Sequence, residues 1–344
     1  LDPAAAESFK HELAEAARAQ GFVRVGFASC EPFLGERARM EAWFAEGRGR
    51  LLPYLDPAAM LDPARVLPGA ATALVGYFPY ARPQAVPGAA PDSLRLSRYL
   101  WGPDYHRILK PRLKAVLAWA QERQPTLRGR VCVDTAPLLE RQLAARAGLG
   151  WQGKHTLLIV RPGGRALPGH QVGVEGGPKA SGASGGTPFL GSGGGSWGFL
   201  GVLLLDLALP ADRPFAADHC GNCTLCLDAC PTAALRPFQL DPNLCLTTYT
   251  VETEAEPPAP VARALAETGW AAGCDRCQEV CPWNRAPLWG DPALWGGASP
   301  LHTQPGARAR MGVARWQSLT RGTALRRVRH RHWLATLGRI QGSF

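Results

Sequence analysis

Apolar positions at helical spacing open the chain. Phe9, Leu13 and Ala16 or Ala17 recur within residues 4–20 and stop at Gly21, the signature of an amphipathic helix closed by glycine. Phe22, Val23, Val25 and Phe27 follow as a strand, and the alternation then repeats. Ala73, Leu74, Val75 and Tyr77 read as a buried strand, and Ile108, Leu109, Leu113, Val116, Leu117 and Ala120 as a helix. Residues 130–134 predict a strand, and Leu138, Leu139 and Leu143 a helix ending near Gly148. Apolar runs at 155–160 and 199–207 complete the pattern. Helices alternating with strands predict an α/β (α+β) domain on a mixed or parallel sheet. Strand order does not follow from periodicity.

The pattern breaks at 161–196, where Gly, Ser and Pro leave little to bury and an insertion loop is expected. Its glycines fit no nucleotide-binding motif at a strand-to-helix junction. Composition shifts to Cys and Pro after Pro210, and to Trp, Gly and finally Arg past Pro287. These shifts divide the chain into 1–209, 210–290 and a short helical, basic segment at 291–344.

With 344 residues, 46% of them hydrophobic, the chain can bury one large core or two smaller ones, since domains run to roughly 100–200 residues. No apolar run reaches the ~18 residues of a membrane span. The N-terminus, with Asp2, Glu7, Lys10, His11 and Glu12, lacks the order of a signal peptide, so a soluble cytoplasmic protein is expected. Because the chain opens on Leu1 rather than Met, its start is expected to be trimmed. A net charge of +10 permits contact with a polyanion such as nucleic acid.

Of ten cysteines, four form the run Cys220-x2-Cys223-x2-Cys226-x3-Cys230 followed by Pro231. This is the ligand spacing of bacterial ferredoxins, in which the fourth thiolate serves a second cluster. Cys274-x2-Cys277-x3-Cys281 with Pro282 repeats the end of that pattern without its first cysteine, which Cys245 can supply. The crossing rule assigns Cys220, Cys223, Cys226 and Cys281 to one 4Fe-4S cluster and Cys230, Cys245, Cys274 and Cys277 to another. Structural zinc usually takes paired Cys-x2-Cys knuckles, which fit this run poorly. Cys30 and Cys132 are isolated and read as buried hydrophobes.

The stretch His219, Cys220 and Gly221 through Cys230, Pro231 and Thr232, together with Gly273, Cys274 and Asp275 through Cys281, Pro282, Trp283 and Asn284, resembles the epoxyqueuosine reductase family. Three further stretches resemble that family in the same order. They are Ser97, Arg98 and Tyr99 with Asp104, Tyr105 and His106; Val133 to Arg141; and Ala147 to Lys154. The resemblance spans roughly residues 10–160 and 197–335.

The resemblance implies a cobalamin-dependent enzyme, similar to reductive dehalogenases, with cobalamin on the first domain. It would remove the epoxide oxygen of epoxyqueuosine at the tRNA wobble position as water, leaving the alkene of queuosine. The implied partners are that tRNA and an external low-potential electron donor, with the enzyme acting as a monomer. Asp134, where the 130–133 strand ends, is expected to be the proton donor, with its pKa raised by burial beside the cofactor. A helix-capping Asp is the plainer alternative. Arg98, Tyr105, His106, Lys154, Thr156, Thr247 and Thr250 are candidate contacts for cobalamin or tRNA. His155 stands where the family usually has Asn. The tail, with Arg321, Arg326, Arg327, Arg329, His330 and Arg331, resembles the start of the helical (HEAT-like) repeats that longer members set against tRNA. Competing readings are a reductive dehalogenase of a small organohalide and a ferredoxin-like electron carrier without catalysis of its own.

Overall fold

The computed structural model describes residues 1–82, 94–160, 193–295 and 311–341. Helix α1 (Pro3–Ala19) begins where the Asp2 carboxylate accepts the Ala5 N–H at 2.8 Å, with Pro3 in the first turn, where its missing N–H costs nothing. Its inward stripe of Ala6, Phe9, Leu13 and Ala17 follows the helical period. Gly21, at φ 91°, turns the chain into β1 (Arg24–Ser29).

Strand β2 (Thr72–Pro79) is buried along its whole length. A short strand β3 (Arg95–Leu96) and the long helix α2 (Tyr105–Arg123) follow. Next come β4 (Gly129–Cys132), α3 (Glu140–Arg146), the hairpin strands β5 (Gly150–Gln152) and β6 (Leu158–Val160), and β7 (Gly198–Leu205). The main sheet runs β1-β2-β7-β4.

Each neighbouring pair in that sheet is antiparallel, with Thr72 opposite Leu205 and Cys132 opposite Val202. The expected mixed or parallel sheet is therefore corrected. Periodicity records which side of the chain is buried and carries no information about strand direction.

Alternation along β2 sorts its side chains to two faces. Leu74 and Phe78 join one core with α1, α2 and Leu203, while Ala73, Val75 and Tyr77 join a second with Leu143 and Ala144 of α3. Cys30 and Cys132 lie in this second core, and burial pushes both thiols up to about 12, as inert hydrophobes.

Past residue 210, α4 (Ala259–Thr268) leads into β8 (Trp270–Ala272), which pairs parallel with β3. The C-terminal helix α5 (His330–Gln341) does not stand apart. Trp316 and Trp333, with ring centroids 4.7 Å apart, are fully buried in the same core as α1 and α2. Most of the expected insertion at 161–196 lies outside the described residues. Its last part is built into the fold: Gly195 bridges to Val160, Gly194 bridges to Pro287, and the Ser196 hydroxyl donates to Gln278 and accepts from the Asn284 amide.

Candidate active site

Beyond the end of β4 the chain turns sharply. The Thr135 N–H donates to Val133 O at 2.6 Å, and Asp134 takes φ 59°, a left-handed conformation that Asp tolerates better than most residues. The Glu140 carboxylate, one turn on, accepts the Asp134 N–H at 3.0 Å and holds that turn. The Asp134 carboxylate is left on the wall of an open cleft of about 780 Å³, with roughly half of the side chain (49%) exposed to it.

Oδ2 of Asp134 gathers three groups. The Tyr105 hydroxyl donates to it at 2.7 Å, Arg327 Nη1 lies at 3.3 Å, and His106 Nε2 at 3.5 Å. Tyr105 is held between stacked rings, His106 at 4.2 Å and Phe199 of β7 at 4.1 Å. Burial pushes the Asp134 carboxyl up, but the adjacent His106 ring, the Tyr105 hydrogen bond and the Arg327 charge overcome it and hold it at about 2. The expected rise is thus reversed, because the His106 ring and the Tyr105 hydroxyl, with the Arg327 charge added to them, stabilise the ionised form.

Glu140 takes the opposite course: burial, reinforced by the Asp134 charge, pushes it up to about 8. A carboxyl that holds its proton more tightly when folded stabilises the fold below its ordinary value of 4.5, and this contribution is lost as pH rises to about 8. Glu140→Gln keeps the acceptor for Asp134. Its unfolding free energy is expected to fall less steeply with pH across that window than the wild type's, as read from denaturation curves at each pH.

On the other side of the cleft the hairpin turn between β5 and β6 brings His155 and Thr156 to the wall. Gly150 is required there, because a Cβ would stand 2.0 Å from Ile159 O. Thr156, at φ 71°, is held by Arg141, whose Nη1 donates to its carbonyl at 2.8 Å. His155 is buried at 3% exposure, and burial lowers its ring to about 4. Its Nδ1 accepts the Leu157 N–H at 3.2 Å, so the proton of the neutral ring sits on Nε2, which has no partner among the described residues.

The cleft floor carries Cys230, Cys245, Cys274 and Cys277, with Thr247 beside them. Burial lifts the Cys277 and Cys274 thiols far above the usual range, and the neighbouring thiols, including Cys245 and Cys230, lift them further. Away from the cleft, burial raises Cys281 to about 11, with Cys220, Cys226 and Cys223 as its thiol neighbours. Cys274 and Cys277 thus have Cys230 and Cys245 as neighbours, and Cys281 has Cys220, Cys223 and Cys226. Among the described residues no three metal-binding side chains converge on a single-ion site. Thiolates that each take their own iron stand wider apart than those sharing one ion.

Of the other expected contacts, Tyr105, Thr156 and Thr247 line the cleft with Asp134, and His106 stands behind Asp134. Three are engaged elsewhere. Lys154 Nζ donates to the carbonyls of Gly221 and Cys223, tying the first cysteine loop to the hairpin. Arg98 stacks on Trp197 at 4.5 Å, and its N–H donates to Asp275 at 2.7 Å. The Thr250 hydroxyl donates to Leu246 O at 2.9 Å and accepts the Gly273 N–H at 3.0 Å. Lys154, Arg98 and Thr250 are not among the residues lining the cleft and tie parts of the fold together. Much of the basic tail is also paired, Arg329 and Arg331 with Glu254 and Arg339 with Glu256.

A thiol group on the floor of a cleft with an acid–base cluster, and a second thiol group away from it, define an iron–sulfur oxidoreductase. Residues 219–284 match the family described as a 4Fe-4S double cluster binding domain, and residues 61–135 the family described as epoxyqueuosine reductase QueG, DUF1730. An epoxyqueuosine reductase of Synechococcus sp. (strain RCC307) is 36% identical over 95% of this chain and 92% of its own length. That of Pseudomonas aeruginosa is 31% identical over 93% of this chain and 81% of its own. The chain belongs to the epoxyqueuosine reductase family. A solved epoxyqueuosine reductase with an epoxyqueuosine-modified tRNA-Tyr stem loop shares the fold at a TM-score of 0.77, with 23% identity over 97% of this chain and 80% of that one. A Bacillus subtilis structure, described with its catalytic loop swung out of the active site, gives 0.76 at 22% identity over 97% of this chain and 81% of that one.

Proposed function

We propose that this chain reduces the epoxide of epoxyqueuosine in tRNA to the alkene of queuosine, with cobalamin in the cleft and two 4Fe-4S clusters on its eight grouped thiols. One observation carries the reading: the Asp134 carboxylate and the Cys230, Cys245, Cys274 and Cys277 group line the same cleft. An acid–base group and an electron source thus face one reaction space.

The cleft residues fit cobalamin. Apolar walls from Leu138, Leu157, Leu200 and Leu246 suit a broad macrocycle, and the unpartnered His155 Nε2 offers a donor to its amide side chains. When bound, cobalamin supplies a low-valent metal centre for breaking a strained carbon–oxygen bond, fed single electrons through the clusters. Cys220, Cys223, Cys226 and Cys281 would hold the outer cluster, in a stretch of largely exposed residues where an external low-potential donor can reach it. The other four thiols would hold the cluster nearer the cleft.

Asp134 delivers the proton to the departing oxygen, while Tyr105 and Arg327 orient its carboxylate. Arg321 and Arg326, exposed and paired with no carboxylate among the described residues, are available to tRNA phosphates at the same end of the chain as Arg327, and such binding weakens with salt. The chain is proposed to act as a cytoplasmic monomer, and no helix among its described residues is long and apolar enough to cross a membrane.

The test is anaerobic reconstitution with iron, sulfide and cobalamin, then incubation with epoxyqueuosine-containing tRNA and a low-potential reductant. Mass spectrometry of the nucleosides is expected to show queuosine that disappears when cobalamin is left out. Equal product without cobalamin would remove the cofactor from the reading.

A further inference from the structure

Asp134 is ionised in the resting cleft, yet loss of an epoxide oxygen as water consumes two protons. We propose that His106, clamped between the carboxylates of Asp104 and Asp134, is the positioning residue that stores the proton Asp134 passes to the substrate. The inference rests on the reaction proposed above.

The clamp follows from local structure. Asp104 caps α2, and its Oδ1 accepts the His106 N–H at 3.0 Å and meets Nδ1 of the same ring at 2.9 Å. An ionised carboxylate only accepts hydrogen bonds, so Nδ1 carries a proton. The other nitrogen, Nε2, points at Asp134 Oδ2 from 3.5 Å, too far for an ordinary hydrogen bond, and it has no partner of hydrogen-bonding geometry. Stacking on Tyr105 at 4.2 Å fixes the ring plane.

The groups around the ring are Asp104 and Tyr105 from α2, Asp134 and Glu140 from the β4–α3 turn, and Arg327 from the C-terminal segment. Burial alone would lower the ring, and Arg327, a cation at the same oxygen, works against charge on it. The two carboxylates outweigh burial and raise the ring above its ordinary 6.5. The ring therefore holds its second proton to higher pH than an unperturbed imidazole does.

The transfer balances. The Nε2–H bond breaks, an Oδ2–H bond forms, and the ring is left neutral with its Nδ1 proton on Asp104. The carboxyl proton then passes to the oxygen freed as the carbon–oxygen bond opens, and the electron pair comes from the low-potential reductant by way of the clusters. The ring, 12% exposed at the side chain although Nε2 itself is buried, must be reloaded for the second proton. Asp134 must approach by about 0.5 Å to reach hydrogen-bond range, and it sits in a turn rather than within a strand. Active-site hydrogen bonds of this kind tighten when ligands bind.

The test uses ¹³C-histidine-labelled, oxidised holoprotein, with the His106 signal assigned by its loss in His106→Gln. The ring is expected to titrate above 6.5, and to move down by about one unit in Asp104→Asn and in Asp134→Asn. Asn remains a good cap, so Asp104→Asn should keep α2 intact. Single-turnover queuosine formation is expected to fall as pH rises through that titration. The falling limb should move to lower pH in Asp104→Asn, and His106→Gln should lose roughly 10²-fold of the rate together with the limb. A ring titrating at or below its ordinary value, or a limb left at the same pH in Asp104→Asn, overturns the proposal, because a merely structural histidine would lower the rate without moving the limb. Failure of the wild type to form queuosine overturns the proposed reaction instead, and the titration then decides alone whether the store is loaded.

Discussion

Asp134→Asn is expected to leave iron content and cobalamin binding unchanged and to lower single-turnover queuosine formation by roughly 10²- to 10⁴-fold. The substitution keeps the shape of the side chain. Asn also tolerates the left-handed backbone that Asp134 adopts at φ 59°, so the turn after β4 should persist. What is lost is a carboxyl that can pick up a proton and give it away. The amide still meets Tyr105, but it can neither draw a proton from His106 nor hand one to an alkoxide. Iron and cobalamin content, read by absorbance, separate this outcome from misfolding. Retention of the full rate in the loaded variant would move the proton donor elsewhere, with Tyr105 the nearest hydroxyl to the same position.

The second large effect is on the clusters. Cys281→Ser is expected to remove the cluster grouped with Cys220, Cys223 and Cys226, leaving about four of eight irons. The reduced variant should retain the electron paramagnetic resonance signal of the cleft-side cluster. Queuosine formation with an external reductant should fall below about 1% of wild type, because the electron path loses its outer station. The Cys281 thiol has those three thiols as neighbours, although the chain places more than fifty residues between them and only three between Cys277 and Cys281. If the variant loses the signal of the cleft-side cluster instead, the crossed grouping is wrong.

The cysteine loops were legible because their chemistry is local. A thiolate two or three residues from the next must lie on the same tight turn, so Cys220 to Cys230 and Cys274 to Cys281 announce their clusters without any knowledge of the fold. The helix of Phe9, Leu13 and Ala17 and the buried strand of Leu74 and Val75 were legible for a related reason, since the side facing the core is written in the period. The turn carrying Asp134 could be placed at a strand end on the same basis.

Strand direction, ligand proximity and protonation were not legible, because each depends on groups far apart in the chain. The sheet is antiparallel because β7 enters between β2 and β4, a pairing that no local spacing records. Lys154 looked like a cleft residue and is tied instead to Gly221 and Cys223, which only the packing of the hairpin against the first cysteine loop decides. Arg327 read as one more basic residue in a tail. The shared Trp316 and Trp333 core brings it 3.3 Å from Asp134, where its charge helps reverse the effect that burial alone has on that carboxyl. The sequence by itself determined which thiols stand at ferredoxin-like spacing and that Asp134 lies at the end of a strand. Tertiary structure alone determined the electrostatic field at that acid, because the field is a sum over neighbours that long-range packing brings together.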